Sequence, residues 1–266
     1  MTTAMPVRWQ IGFDTDLGGG KENQDDCFIW SSPDDGICVI GVLDGHGREV
    51  CKVAANAAKS SLKEFFKMHF SELRTSPHDC LIRAHEVAHL AIKSKFRALY
   101  EDDGYEIMEN SEGYLLKSMK GQQWSCIHGG STCSICALVD GYLYTANVGD
   151  STGILCSTHP VLTKADVSVT GDGAVSTEIR KKYTDSIIID DSDHKDNCTS
   201  IIITAEHSPE SPYEFLRLRD FRAKVDKPDL PALNVVYDSP AHEKAKCPQV
   251  FSIGEGRQPI LTNKGW

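Results

Sequence analysis

Nowhere along the 266 residues does an apolar run approach the ~20 consecutive residues that a membrane-spanning helix requires. The opening stretch MTTAMPVRWQIGFDTDL has no apolar block of the kind a secretory leader carries, and Thr2 excludes N-myristoylation at that position. Positive charge is in deficit. The net charge of −10 argues against duplex nucleic acid and against an anionic membrane surface as partners, and it suits a chain that gathers divalent cations. No internal repeat is present, and strands and helices follow one another without a βαβ rhythm. The ten cysteines are scattered, whereas a disulfide framework belongs to shorter, denser chains. Cys133-Ser-Ile-Cys136 has CxxC spacing, but it lies in a strand-like run and has no second pair to complete a zinc site. Reduced thiols in a cytoplasmic or nuclear protein are the expectation, and nothing in the pattern asks for more than a monomer.

What is there is an ordinary globular composition, 40% hydrophobic and 25% charged, enough to bury a core. CFIWSS and GICVIGVL are apolar runs separated by Ser-Pro-Asp-Asp-Gly and read as two antiparallel strands. From Cys51 to Phe70 the period becomes helical, with Val53, Ala57, Leu62, Phe65, Phe66 and Phe70 on one stripe. A second helix follows Ser76-Pro77, Ser76 as N-cap and Asp79 in the first turn, with Leu81, Ala84, Ala88, Ala91, Phe96 and Leu99 facing inward. Residues 101–125 are polar and irregular and read as a surface insertion. STCSICALVDGYLYTANVGDS gives two strands around the hairpin signal Asp140-Gly141. Residues 156–198 read as a second surface insertion carrying an acidic cluster, Asp185, Asp190, Asp191, Asp193 and Asp196. TSIIITAEHSPESPYEFLRLRDF then reads as strand, turn and short amphipathic helix. Hairpins dominate, so the class is α+β, and residues 1–266 are expected to form one domain.

The chemistry concentrates at Gly41–Val50, GVLDGHGREV. A strand-building run stops on Asp44-Gly45-His46-Gly47. Asp-Gly is turn chemistry. The same residues also set a carboxylate and an imidazole at the mouth of a rigid strand.

Four segments in one order resemble the protein phosphatase 2C (PPM) family of metal-dependent Ser/Thr phosphatases: KENQDDCF at 21–28, VLDGHG at 42–47, GGSTCSICALVDGYLYTANVGDS at 129–151 and ITAEHSPESPYEFLRL at 203–218. Each is weak alone; their order and spacing carry the resemblance. It implies a sandwich of two antiparallel sheets flanked by helices, and hydrolysis of phosphoserine or phosphothreonine in protein substrates. It also implies two or more Mg²⁺ or Mn²⁺ ions, the hard cations that oxygen ligands suit. By the same resemblance Asp44 bridges two ions, the Gly45 carbonyl is a ligand, and Asp25 holds water of the metal site. Asp150 belongs to a weaker third ion, His46 is the general acid and Lys21 binds phosphate.

The chain departs from the family pattern at Gln24, Arg48 and Thr152. The resemblance covers the N-terminal and central part of a family domain. The late Asp-Gly and terminal Asp-Asn motifs that complete one metal site are expected beyond Trp266, so catalytic incompleteness of this chain is an expectation. Asp172-Gly173 and Asp196-Asn197 imitate those motifs too early in the order. A non-catalytic binding module of the same fold is the alternative. A distant one is a zinc metalloprotease, from His85-Glu86-Val87-Ala88-His89, a formal HExxH that on a helix could hold zinc through His85 and His89 with Glu86 as base. Its plainer reading is an amphipathic helix with polar-face histidines. Protein dialysed and assayed for metals should hold no stoichiometric zinc; one zinc per chain, lost in His85→Ala, would reverse that order.

Overall fold

The computed structural model describes residues 10–18, 22–47, 50–109, 113–120, 122–157, 188–189, 199–205, 207, 250–253 and 259–262. The chain divides into two compact units, 1–151 and 152–266. The α+β class holds, with antiparallel sheets and helices packed on them.

In the first unit, β1 (Asp26–Ser32) and β2 (Ile37–Leu43) pair in antiparallel register, Asp26 opposite Leu43 and Ser32 opposite Ile37. A single 3-10 turn at Pro33–Asp35 joins them, closed by Gly36 in the left-handed region. β3 (Gly45–His46) follows directly, then α1 (Cys51–His69), a short α2 (Glu72–Thr75) and the long α3 (Pro77–Asp102). β4 (Glu106–Glu109), β5 (Leu115–Ser118) and β6 (Ser125–Cys126) form a small antiparallel sheet. β7 (Gly130–Ser131) pairs with β3, and β8 (Cys133–Val139) and β9 (Tyr142–Val148) complete a four-stranded sheet of order β1-β2-β8-β9. The β8–β9 hairpin turns on Asp140 (φ 51°) and Gly141 (φ 88°), two positive-φ residues in succession, which a two-residue turn matched to strand twist demands.

β8 alternates strictly: Cys133, Ile135, Ala137 and Val139 are buried and the residues between them half-buried. One sheet face therefore meets the helices. The core joins Phe28, Ile37, Val39, Leu43, Ile135 and Val139 of the sheet to Leu62, Phe65, Phe66, Leu81, Ala84 and Ala88 of the helices. Opposite Phe28 stands Gly41, and a Cβ there would lie 2.1 Å from the Phe28 ring, so the ring fills the space that a side chain would take. At the sheet end remote from β3, Arg74 of α2 donates to Asp140 (Nε to Oδ2, 2.8 Å) and to the Asp35 carbonyl, tying both hairpin turns to one guanidinium.

Two readings shift. In α1 the buried residues of the first turns are Cys51, Ala54, Ala55 and Ala58, while Val53 and Ala57 are only half-buried. The helix turns its alanines inward against α3, where Ala84 and Ala88 are buried in turn; small residues let helices approach closely, and a stripe chosen by side-chain size misses this. Ser76 is at the N-cap of α3 with Pro77 behind it, but its side chain makes no capping bond. Residues 101–125, expected as irregular, contain β4 and β5 and reach the start of β6 at Ser125.

The second unit has β10 (Ile154–Ser157), β11 (Ile188–Ile189) and β12 (Thr199–Ile202) in the order β10-β12-β11, and a separate antiparallel pair, β13 (Val250–Ile253) with β14 (Pro259–Thr262). The Gly153 N–H donates to Thr204 Oγ1 at 2.8 Å. The expected helix after residue 207 and the acidic cluster lie outside the described residues. Among the described residues no helix is long and apolar enough to cross a membrane.

The ring of Phe66 is fully buried between α1 and the sheet. Phe66→Ala should cost about 3–5 kcal/mol in urea unfolding, the range for truncating a buried aromatic. Lys63→Ala on the exposed face of the same helix should stay within ~0.5 kcal/mol.

Candidate active site

β2 is buried almost throughout, and Leu43 at its end is 0% exposed. The next residue, Asp44, leaves the core with its carboxyl at the surface. Its backbone is held on both sides by Thr132, which is buried. The Asp44 N–H donates to Thr132 Oγ1 (3.0 Å), and the Thr132 N–H donates to the Asp44 carbonyl (2.8 Å). Thr132 Oγ1 also shares a 2.6 Å hydrogen bond with Ser151 Oγ, beside Asp150. One threonine thus joins the end of β2 to the loop after β9.

Two acidic residues open β1's end of the site. Asp26 accepts from Lys59 Nζ (2.7 Å), which commits it to an ion pair with α1. Asp25 lies in an Asx-type turn, its N–H donating to Asn23 Oδ1 (2.9 Å), and its side chain shares a hydrogen bond with Asp44. The Asp44 carboxyl is pushed above the usual carboxylate range, first by partial burial, then by the charge and hydrogen bond of Asp25 and the charge of Asp150; His46 pulls the other way. Asp25, Asp44, Asp150 and His46 are therefore electrostatic neighbours.

A hydrogen bond between two carboxyls needs a proton on one of them. At neutral pH a cation between them does the same service, and hard oxygen donors favour Mg²⁺ or Mn²⁺. The residues fit such an ion in kind. Among the described residues no group of three or more His, Cys, Asp or Glu side chains closes into a full metal-holding cluster; the convergence is a pair with a third carboxylate near it.

Gly45 is buried, and a Cβ there would come within 2.4 Å of the Gln24 carbonyl and 2.6 Å of the Cys51 carbonyl, both backbone atoms that cannot give way. Gly149 has φ 102°, and a Cβ there would press on Thr132. Glycine at 149 thus leaves room for Thr132 beside Asp44, and glycine at 45 lets the chain pass the Gln24 and Cys51 carbonyls. His46, at the surface, pairs with Gly130 through the β3–β7 bridge, with its ring over that glycine.

Lys21, Asp172 and Asp196 lie outside the described residues. The HExxH run does not offer zinc a pair of ligands. His85 Nδ1 sits 2.9 Å from the Leu81 carbonyl and Nε2 3.2 Å from the Cys133 carbonyl, so carbonyl oxygens face both ring nitrogens, while His89 and Glu86 are exposed on the helix. Cys133 and Cys136 point to opposite faces of β8, three residues apart on a two-residue period. Burial pushes Cys133 up to about 12 and raises Cys136 as well, which leaves the protonated thiol in both cases. Thr132 and Ser151 were not singled out in the sequence. Thr132 stands in the quoted GGSTCS segment, and the only local signal was a hydroxyl just before a strand beside two glycines.

A central strand that ends on a carboxylate, with a second aspartate hydrogen-bonded to it and helices covering the far sheet face, agrees with the order of segments noted above. The protein phosphatase 2C family model matches residues 23–172, more than half of the chain. The chain belongs to the protein phosphatase 2C family. Among curated relatives, "Protein phosphatase 1L" of Bos taurus is 30% identical over 118 residues. That alignment covers 44% of this chain and 27% of the relative, so the chain spans about a quarter of that protein's length.

Replacing Thr132 with valine keeps the shape and removes the acceptor for the Asp44 N–H. Thr132→Val should cost about 1–3 kcal/mol in chemical denaturation, as expected when a hydrogen-bonded group loses its partner, and Thr132→Ser should cost less. Equal stability of Thr132→Val and wild type would contradict the junction described here.

Proposed function

We propose that residues 1–266 carry a metal-dependent phosphatase site of the protein phosphatase 2C type, acting on phosphoserine and phosphothreonine in proteins. The observation that carries this reading is the Asp44 carboxyl, hydrogen-bonded to Asp25 with the Asp150 charge close by, at the end of a buried strand. Divalent ions supply the positive charge that phosphoryl transfer to water needs. Asp44 and the Gly45 carbonyl would hold them, with Asp25 orienting water and Asp150 serving a weaker position. His46 stands at the surface beside Asp44, where an imidazole can deliver a proton to a departing seryl or threonyl oxygen. Lys21 would take a phosphate oxygen.

In this proposal residues 1–266 belong to one domain of a two-sheet sandwich, 101–125 and 156–198 being insertions, and the protein works as a monomer in the cytoplasm or nucleus. No nucleic acid or membrane is involved. The resemblance assigns two further aspartates to the same ions, and their imitations at Asp172 and Asp196 lie outside the described residues. Both stand too early in the order of motifs to be those aspartates, so hydrolysis of p-nitrophenyl phosphate by residues 1–266 alone is expected to be slow in Mn²⁺. Metal binding without turnover, in a protein that also carries those two aspartates, would favour the non-catalytic module.

The direct test is calorimetry with Mn²⁺ on wild type and Asp44→Asn. Removing a ligand should weaken binding by more than the ~10–100-fold typical of losing an outer-shell partner. Equal binding by the two proteins would end the metal-site reading.

A further inference from the structure

The first histidine of the His-Glu-Val-Ala-His run makes a contact that spans two elements. His85 is on α3, half-buried, and it crosses to β8, where its Nε2 is 3.2 Å from the Cys133 carbonyl. Its Nδ1 is 2.9 Å from the carbonyl of Leu81, one turn back on its own helix. Neither oxygen can donate, so the ring is the donor in each of these bonds, in both at once when both nitrogens carry protons. A neutral ring has one N–H, and in the Nε2–H tautomer it is donated across to the Cys133 carbonyl on the strand.

The position of that strand contact matters. The ladder between β2 and β8 runs from Ile37–Val139 to Val42–Ser134, so Cys133 is one residue past the paired register. The residue before it is Thr132, which exchanges two hydrogen bonds with Asp44 and a third with Ser151. His85 holds the peptide just where inter-strand pairing with β2 gives out and the site begins. α3 is well anchored for this: Leu81, Ala84 and Ala88, flanking His85, are buried in the core.

The geometry points to His85 as a positioning residue that fixes the Asp44–Thr132 junction, and through it the carboxyl pair Asp44 and Asp25. His85 is not a catalytic residue, since it touches no group placed at the reacting centre. Its effect on the junction stands on geometry alone; its effect on metal affinity rests on the phosphatase reading above.

The test is site-resolved amide hydrogen exchange on the full chain, with Mn²⁺ calorimetry alongside. His85→Leu removes the ring donor, and His85→Gln keeps an amide N–H that can reach the Cys133 carbonyl. In His85→Leu the Asp44 and Thr132 amides should exchange about tenfold faster through local opening, while those of Ile135 and Ala137 keep their rates. His85→Gln should restore most of the protection. Mn²⁺ affinity should fall about tenfold in His85→Leu, in the range for outer-shell partners. Glu86→Gln, exposed one residue on, should change neither readout. Unchanged exchange at Asp44 and Thr132 would overturn the proposal. So would faster exchange spread evenly through β2 and β8, or failure of both His85 variants to fold, since each marks a general structural role. If the wild type binds no Mn²⁺, the phosphatase reading falls, and the exchange rates alone decide the role of His85.

Discussion

Two carboxyl groups held within hydrogen-bond reach of one another set the terms for the first unit. Asp25 and Asp44 repel when both are ionised, so their approach must be imposed by the backbone. The imposition is visible on each side. Asp44 is fixed by the buried end of β2 and by the double exchange with Thr132; Asp25 is fixed by the turn on Asn23. Asp26 is drawn away to Lys59, which leaves one acid of the tandem for the site. The raised carboxyl of Asp44 is the electrostatic mark of this arrangement, and a divalent cation would relieve it without a proton.

The remainder of the unit serves to keep that strand end still. The apolar face of the sheet is covered by α1 and α3, and alanines at 54, 55, 58, 84 and 88 are buried where the two helices meet the core. At the far end Arg74 clamps both hairpin turns, and exposed ion pairs of this kind contribute more to geometry than to stability. Near the site the structure relies on missing side chains. Gly45 and Gly149 admit backbone and threonine atoms to places a Cβ would occupy. Such close approaches tie the identity of small residues to the position of the charged ones.

Much of this was legible in the sequence, for physical reasons. The β1–β2 and β8–β9 hairpins follow from apolar runs around Pro33–Gly36 and Asp140-Gly141, where local turn chemistry decides the outcome. The helices follow from their period. Asp25, Asp44, His46 and Asp150 were picked out by a family resemblance, and the structure brings them together. What escaped depends on contacts far apart in the chain. Thr132 meets Asp44 across 88 positions, and no local pattern marks a threonine for that. In the first turns of α1 the inward face was misplaced by one position, Ala54 and Ala58 being buried in place of Val53 and Ala57, while Leu62, Phe65 and Phe66 face the core as read. The β4 and β5 strands in 101–125 are four residues each, too short for a periodicity to announce their pairing. His85 belonged to a motif whose helical context was read correctly, but its partner on β8 could be seen only in the fold.

The proposed divalent-cation site is the carboxyl pair at the end of β2. Paramagnetic broadening by substoichiometric Mn²⁺, followed residue by residue in the NMR spectrum of the full chain, tests it most directly. The amide signals of Asp25, Asp44, Gly45, His46 and Asp150 should be lost early and selectively, with those of α3 beyond His89 left sharp. Broadening centred on the acidic stretch 185–196, or none at all, would contradict it.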